Sequence, residues 1–308
     1  MAHTTLTASR QAVRKNGFVV TLVHDMLLHD LNTLQRATAE QLTRLNYKMG
    51  MLTTVKQRLK ELTDAGYVLP LSHPSIRLPY MYALDRKGLN YLHSLGVDVR
   101  EYFRPSQEED TAKNFLFREH MLAISDILIH ALLFVKSEPS YRIGTMLHER
   151  VFKNAPMKVE YTKNNREETK AIVPDCYIAF VSTSPSGKEE TIPVLWELDR
   201  GTEDQKFFRK RIRAYIVFLK SRAFKTLLGV ENITIAFATT KEHNRVRQMR
   251  EWAAKEFAIT NEPGWLANLF LFTLLPENMG ESEPRQLFLD PVWYTPSDGQ
   301  NPLSLLGE

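Results

Sequence analysis

Residues 39–71 read AEQLTRLNYKMGMLTTVKQRLKELTDAGYVLPL. Within this stretch Leu52, Val55, Leu59 and Leu62 recur at helical spacing, which puts them on one face of a helix over residues 51–63. Gly66 ends it. Residues 39–45 form a shorter helix with Thr38 as its N-cap, and residues 46–50 supply the turn between the two. Upstream, residues 18–31 (FVVTLVHDMLLHDL) carry helical apolar spacing as well. Downstream, residues 67–71 and 80–84 read as strands. The segment between them, SHPSIRLP, is rich in turn formers and basic at Arg77. Asp85 opens a further helix through residue 92.

Helix, helix, turn, helix, two-stranded wing and helix is the order of a winged helix-turn-helix, expected over residues 1–100. In that arrangement the third helix enters the major groove of double-stranded DNA with the face opposite its leucine stripe. That face carries Thr53, Thr54, Lys56, Gln57 and Lys60. Lys and Gln pair with base edges, and Thr suits phosphate or methyl contacts. Arg77 in the wing, with Arg86 and Lys87 after it, is placed to hold the backbone or minor groove. The plainer readings are a solvated helix face and a winged helix used for protein contacts.

Charge points the same way, weakly. Residues 1–104 hold 14 Lys/Arg against 8 Asp/Glu, and the remainder 26 against 28. The positive excess sits in the first third, where phosphate attraction is its simplest use. The apolar and charged fractions, 43% and 25%, are ordinary for a globular protein. A single cysteine, Cys176, excludes an internal disulfide and reads as a small core residue. No apolar run approaches a membrane span and the N-terminus lacks a signal-peptide core, so a cytoplasmic protein without a membrane partner is expected.

The polar stretch 97–111, with Pro105, marks a linker, set at 101–111 in the domain division. A long apolar helix follows over 112–135. Strands are expected at 170–181, 191–198, 232–239 and 268–274, and helices at 203–220 and 242–257. The order implies an α+β or α/β domain with a central mixed sheet over 112–275, followed by an irregular tail over 276–308.

Carboxylates collect at the strand ends. Asp175 follows Pro174, and Glu197 and Asp199 stand two apart, on one face of their strand. A hairpin that brings Asp175 beside them makes a hard oxygen site suited to Mg²⁺ or Mn²⁺, which polarises a phosphodiester and activates water. The alternative is solvated acids at strand ends. On the next helix Lys206 and Lys210 are candidates to stabilise transition-state charge, with Glu203 peripheral. Arg209, Arg211 and Arg213 are candidates to hold the DNA backbone. Glu119 is expected in a salt bridge or exposed, and His120 and His130 as packing histidines.

Two regions carry a family resemblance. The stretch AEQLTRL…TTVKQRLKELTDAGYV…YALDRKGLNYL and the stretch VPDCYIAF…LWELDRGTEDQKFFRKRIRAY resemble the replication-relaxation family, and FREHMLAISDILI fits its pattern. The resemblance implies a role in plasmid or mobile-element replication and DNA relaxation. The C-terminal half also resembles the restriction-endonuclease-like αβββαβ fold, with its Pro-Asp…(Asp/Glu)-x-Lys motif. Asp175 and Glu197 match its two acids. Asp199 stands where its lysine is expected, and Lys206 or Lys210 would have to substitute.

Two functions remain open. One is a DNA-processing protein that nicks or cuts with a divalent metal held by Asp175, Glu197 and Asp199. The other is a non-catalytic winged-helix regulator with a degenerate nuclease-like domain. Replication or transposition proteins are the expected partners, and a homodimer is compatible with symmetric sites. A pure protein scaffold fits the basic wing and basic helix least.

Overall fold

Thr38 organises the first of two units. It ends a two-residue strand, β1 (Ala37–Thr38), and caps the next helix, α2 (Ala39–Asn46). Its hydroxyl accepts the Gln41 amide at 3.1 Å while the Gln41 side chain accepts the Thr38 amide at 3.0 Å. This reciprocal pair satisfies two donors that a helix start leaves open. The computed structural model describes residues 18–48, 50–72, 79–99, 115–163, 166–297 and 301–307. Met1–Ala112 form one unit and Lys113–Glu308 the other, in a mixed α+β protein.

The first unit runs α1 (Leu22–Leu34), β1, α2, α3 (Leu52–Asp64), β2 (Val68–Leu71), β3 (Met81–Leu84) and α4 (Arg86–Ser94). The strands form an antiparallel sheet of order β1-β3-β2. Gly50, at φ +94°, makes the turn into α3. Val55, Leu59 and Leu62 are fully buried, as are Leu27, Leu28, Leu31 and Leu34 of α1. Helix α1 starts at Leu22, four residues later than its apolar pattern suggests, because Thr21 caps it. Arg77 lies outside the described residues.

The second unit is built on a five-stranded sheet of order β10-β9-β8-β7-β4. Its chain order is α5 (Phe115–Ser137), β4 (Tyr141–His148), α6 (Glu149–Asn154), β5 (Met157–Lys163), β6 (Arg166–Ile172), β7 (Cys176–Thr183), β8 (Glu189–Asp199), α7 (Gln205–Ser221), α8 (Ala223–Leu228), β9 (Thr234–Thr239), α9 (His243–Thr260), α10 (Gly264–Ala267), β10 (Phe270–Leu274) and α11 (Pro284–Leu289). Strands β4, β7 and β8 pair antiparallel; β8, β9 and β10 pair parallel. Alternation divides β8 between the two faces. Leu195 joins Phe208, Ile212 and Tyr215 of α7 and Phe237 of β9 in one core. Trp196 points the other way, against Phe288 and Trp293.

Three expectations need correction. The strand expected over 170–181 is two strands. Pro174 holds Val173 extended and the chain leaves β6, which pairs with β5 in a separate hairpin, before entering β7. The tail expected to be irregular contains α11, and its Trp293 and Phe288 are fully buried. Residues 117–137 of α5 are long and apolar enough to cross a bilayer by length and composition, where the sequence reading found no such run. Half of that window is buried, with Phe134 against Phe180 and Phe288.

Gly88 of α4 sets how closely the helix approaches the start of β2. A Cβ there would lie 2.3 Å from the Tyr67 carbonyl oxygen. Gly88→Ala gains about 1 kcal/mol of helix propensity, but backbone must shift to admit it. A net loss of about 1–3 kcal/mol is expected, read as an earlier far-UV circular dichroism transition in urea. All four tryptophans, Trp196, Trp252, Trp265 and Trp293, lie in the second unit. Their fluorescence transition should stay where it is.

Candidate functional site

The β7–β8 register carries the site. Cys176 pairs with Trp196, so Asp175, one residue earlier, comes opposite Glu197. The Asp175 amide donates to the Trp196 carbonyl at 2.9 Å, and its carboxylate Oδ2 accepts the Leu198 amide at 2.7 Å. The side chain thus extends the ladder by one bond where Pro174 turns the backbone away. Asp175, Glu197 and Asp199 are all buried and line one cavity of about 770 Å³. The sequence reading brought these three together, and the structure does too.

Their partners are protein cations and donors. Asp175 Oδ1 lies 2.9 Å from His120 Nε2 of α5. Glu197 accepts from Arg211 Nη1 at 2.9 Å and from the Tyr215 hydroxyl, both on α7. Arg211 reaches onward to Glu203, so one guanidinium joins two carboxylates. Asp199 is gripped in a fork by Arg245 of α9, with Nε and Nη2 each at 2.7 Å, and also takes the Gly201 amide at 2.8 Å. Arg245 in turn lies over the Trp252 ring, 4.9 Å from its centroid.

These contacts set the protonation states. Burial, reinforced by the neighbouring Asp175 charge and opposed by Arg211 and the Tyr215 bond, pushes the Glu197 carboxyl up to about 7. Burial also acts on Asp175, but the bond and charge of His120 outweigh it and hold that carboxyl below its ordinary value. His120 is raised in return, its desolvation overcome by Asp175. Burial and then Glu197 push the Tyr215 hydroxyl well up.

The donor set does not suit a divalent metal as arranged. Both Asp199 oxygens are held by Arg245, and Arg211 stands between Glu197 and Glu203. Among the described residues no group of three or more His, Cys, Asp or Glu is placed to hold a metal ion. A hard cation needs several open oxygens within reach, and here arginines supply the neutralising charge.

The remaining candidates divide. Lys210 lines the cavity, whereas Lys206 is exposed and does not. Arg209 and Arg213 close on Glu256 of α9, which is fully buried, with Arg209 Nε at 3.0 Å and Arg213 Nε at 2.5 Å. Both guanidiniums are occupied in joining α7 to α9. On the first unit, Thr53, Thr54, Lys56, Gln57 and Lys60 are all exposed, and so is Arg86. Lys87 is turned inward: its ammonium donates to the Ala65 carbonyl at 2.8 Å and lies 4.4 Å from the Tyr67 ring centroid. It caps the C-terminal end of α3.

Sequence reasoning missed the roles of His120, Arg211 and Tyr215. A signal was present for two of them. Arg211 is three residues after Phe208 and four before Tyr215, so it shares their inward face. Glu119 pairs with Arg200, His130 Nε2 lies 2.9 Å from the Ser282 hydroxyl, and Cys176 is a buried core residue, all as expected.

The folded chain holds the Glu197 proton up to about pH 7, against an ordinary value of 4.5. Its contribution is therefore complete below pH 4.5 and lost as pH rises through 7. His120, also raised, acts in the same direction. Stability of the second unit should decline between about pH 5 and 8, and Glu197→Gln should flatten that slope. Tryptophan fluorescence in denaturant at stepped pH reads it; an unchanged slope in the variant would contradict the assignment.

No curated protein and no solved structure matches the chain. Residues 28–232 match the replication-relaxation family, a span that takes in most of the first unit and, from the second, α5 through α8 with Asp175, Glu197, Asp199 and Arg211, though not Arg245 or Glu256 of α9. With two thirds of its length matched, the chain belongs to the replication-relaxation family.

Proposed function

We propose that this protein binds double-stranded DNA in replication or relaxation of a plasmid or mobile element, and that its first unit is a winged helix. The observation that carries the reading is the division of α3. Val55, Leu59 and Leu62 are fully buried, while Thr53, Thr54, Lys56, Gln57 and Lys60 are exposed on the opposite side. That is the arrangement a recognition helix needs: one face fixed to the unit, the other free to enter a major groove. Helix α3 is also braced from behind. Glu61 accepts from Arg58 Nη1 at 2.9 Å and lies 2.9 Å from Nε2 of the buried His24 on α1. A helix held this way loses less freedom on binding. Lys60 is paired with Asp64, an exposed pair that a phosphate can displace at small cost.

For the second unit, the reading is a restriction-endonuclease-like fold that acts without metal-dependent cleavage. The strand order, the Pro174-Asp175 step and the placing of Glu197 support the fold. Arg211 and Arg245, seated on the acids that would otherwise bind a cation, support the lack of cleavage. The chain's own residues offset most of the cluster's negative charge, and all of it when Glu197 is protonated; they also fix the β7–β8 end against α7 and α9 and keep the cavity walls in place. Replication proteins are the partners this role implies.

Two measurements test the parts separately. A gel shift with random-sequence duplex at low salt should show binding that weakens steeply with salt. Lys56→Ala with Lys60→Ala should reduce the log–log salt slope by about 1–2. No shift with the native chain would remove the duplex reading. Supercoiled plasmid incubated with the protein and Mg²⁺ or Mn²⁺ should remain supercoiled. Nicked product that disappears in Glu197→Gln would restore the metal nuclease.

A further inference from the structure

The middle of the exposed α3 face is occupied by an uncharged side chain. Gln57 has Thr53 and Thr54 one turn before it and Lys60 and Glu61 one turn after. It is exposed, and its Nε2 donates to Glu61 Oε1 at 3.1 Å. Glu61 is not a loose surface acid. Its Oε2 accepts from Arg58 Nη1 at 2.9 Å and lies 2.9 Å from Nε2 of His24. His24 is buried, and its Nδ1 accepts the Thr21 amide at 3.2 Å. The ring proton therefore sits on Nε2 and is donated to Glu61. Arg58, and then Gln57, hold the Glu61 carboxyl down at about 2, so it is ionised at neutral pH.

An ionised carboxylate accepts hydrogen bonds and donates none. The Gln57 amide must therefore turn its nitrogen, and not its oxygen, toward Glu61. What it keeps for a ligand is Oε1 and the second N–H, one acceptor beside one donor. Among the described residues nothing donates to that Oε1. In the major groove adenine offers the complement, an N7 acceptor and an N6 amino donor, whereas guanine offers two acceptors, N7 and O6. An amide free to turn can aim its NH₂ at guanine. One fixed by Glu61 sets its own oxygen against guanine O6. The neighbouring ammonium groups of Lys56 and Lys60 suit phosphates, which leaves the central neutral amide to a base edge.

We infer that Gln57, with its amide oriented by Glu61, reads adenine at one position of a DNA duplex and rejects guanine there. The inference rests on α3 being the duplex-reading helix. Gln57 is the specificity residue, and Glu61 is a positioning residue that acts through it. Arg58 and the buried His24 hold Glu61 in place, so the orientation of a surface amide is anchored in the packing of α1 against α3. The plainer role of a Gln–Glu pair one turn apart is modest support of the helix. That role gives no base preference.

The test is selection of sites from randomised duplexes by the full chain, followed by competition between the selected duplex and copies with one A·T pair replaced by G·C. The native protein should select adenine at one position and prefer it to guanine there by roughly tenfold. Gln57→Ala should lose that preference at that position only. It should keep the log–log salt slope, because no charge is removed. Glu61→Gln keeps the side-chain shape but can face Gln57 with oxygen or nitrogen, so guanine should be accepted within about threefold of adenine. Far-UV circular dichroism in urea shows whether each variant is folded. If Glu61→Gln is not, Glu61→Asp keeps the charge beside His24 and draws it short of the Gln57 amide. No duplex binding by the native chain removes the duplex reading and this inference together. Duplex binding without an adenine preference, or a preference that survives Gln57→Ala, overturns the inference and leaves the duplex reading standing. Continued rejection of guanine by a folded Glu61 variant overturns the role of Glu61.

Discussion

The second unit depends on the burial of carboxylates beside arginines. Asp175, Glu197, Asp199 and Glu256 are each under one tenth exposed, and ionised groups removed from water are strongly unfavourable unless paired. Three arginines of α7 and one of α9 supply the opposite charge, with His120 of α5 on Asp175. Each pair crosses from one element to another. The sheet edge, α7 and α9 are thereby fixed in register by charge as well as by apolar packing. Removing one member of such a set leaves the other buried and unpaired, so the cluster stands or falls together.

The acids were legible in the sequence because strand periodicity is simple. Two residues apart on β8 means one face, and a tight β7–β8 connection brings Asp175 across from Glu197. The arginines were not legible, because a basic residue on a helix reads the same whether it meets a carboxylate or a phosphate. Arg209 and Arg213 fall one turn apart on the side that meets α9, and only the position of Glu256, more than forty residues on, decides their use. His120 is similar: its partner comes from the next layer of the fold.

The same contrast runs through the secondary structure. Helices α2, α3 and α7 carry strong apolar spacing, α2 and α7 with side-chain N-caps as well, and they lie close to where the pattern puts them. Strand β4 buries only His148 along its length, and β6 is rich in charge, so neither offers an apolar alternation to read. Their identity comes from pairing: β4 closes the sheet beside β7, and β6 exists because β5 is opposite it. Lys87 shows the limit for surface charge. Its position after the wing suggested an outward contact, yet the nearby α3 terminus with its open carbonyl draws it in.

The aromatic face formed by Phe134, Phe180, Trp196, Phe288 and Trp293 also orders events in time. Phe134 and Phe180 precede Phe288 and Trp293 by a long stretch of chain. During synthesis the sheet can assemble its α7 and α9 side first, while its opposite side is covered only by α5 until residues 284–293 have been made. The contacts that close it span 92 to 154 residues, which makes their formation slow compared with local helix pairing. Until then a broad apolar surface faces the cell, and the nascent unit is most exposed to chaperones and to self-association at that stage.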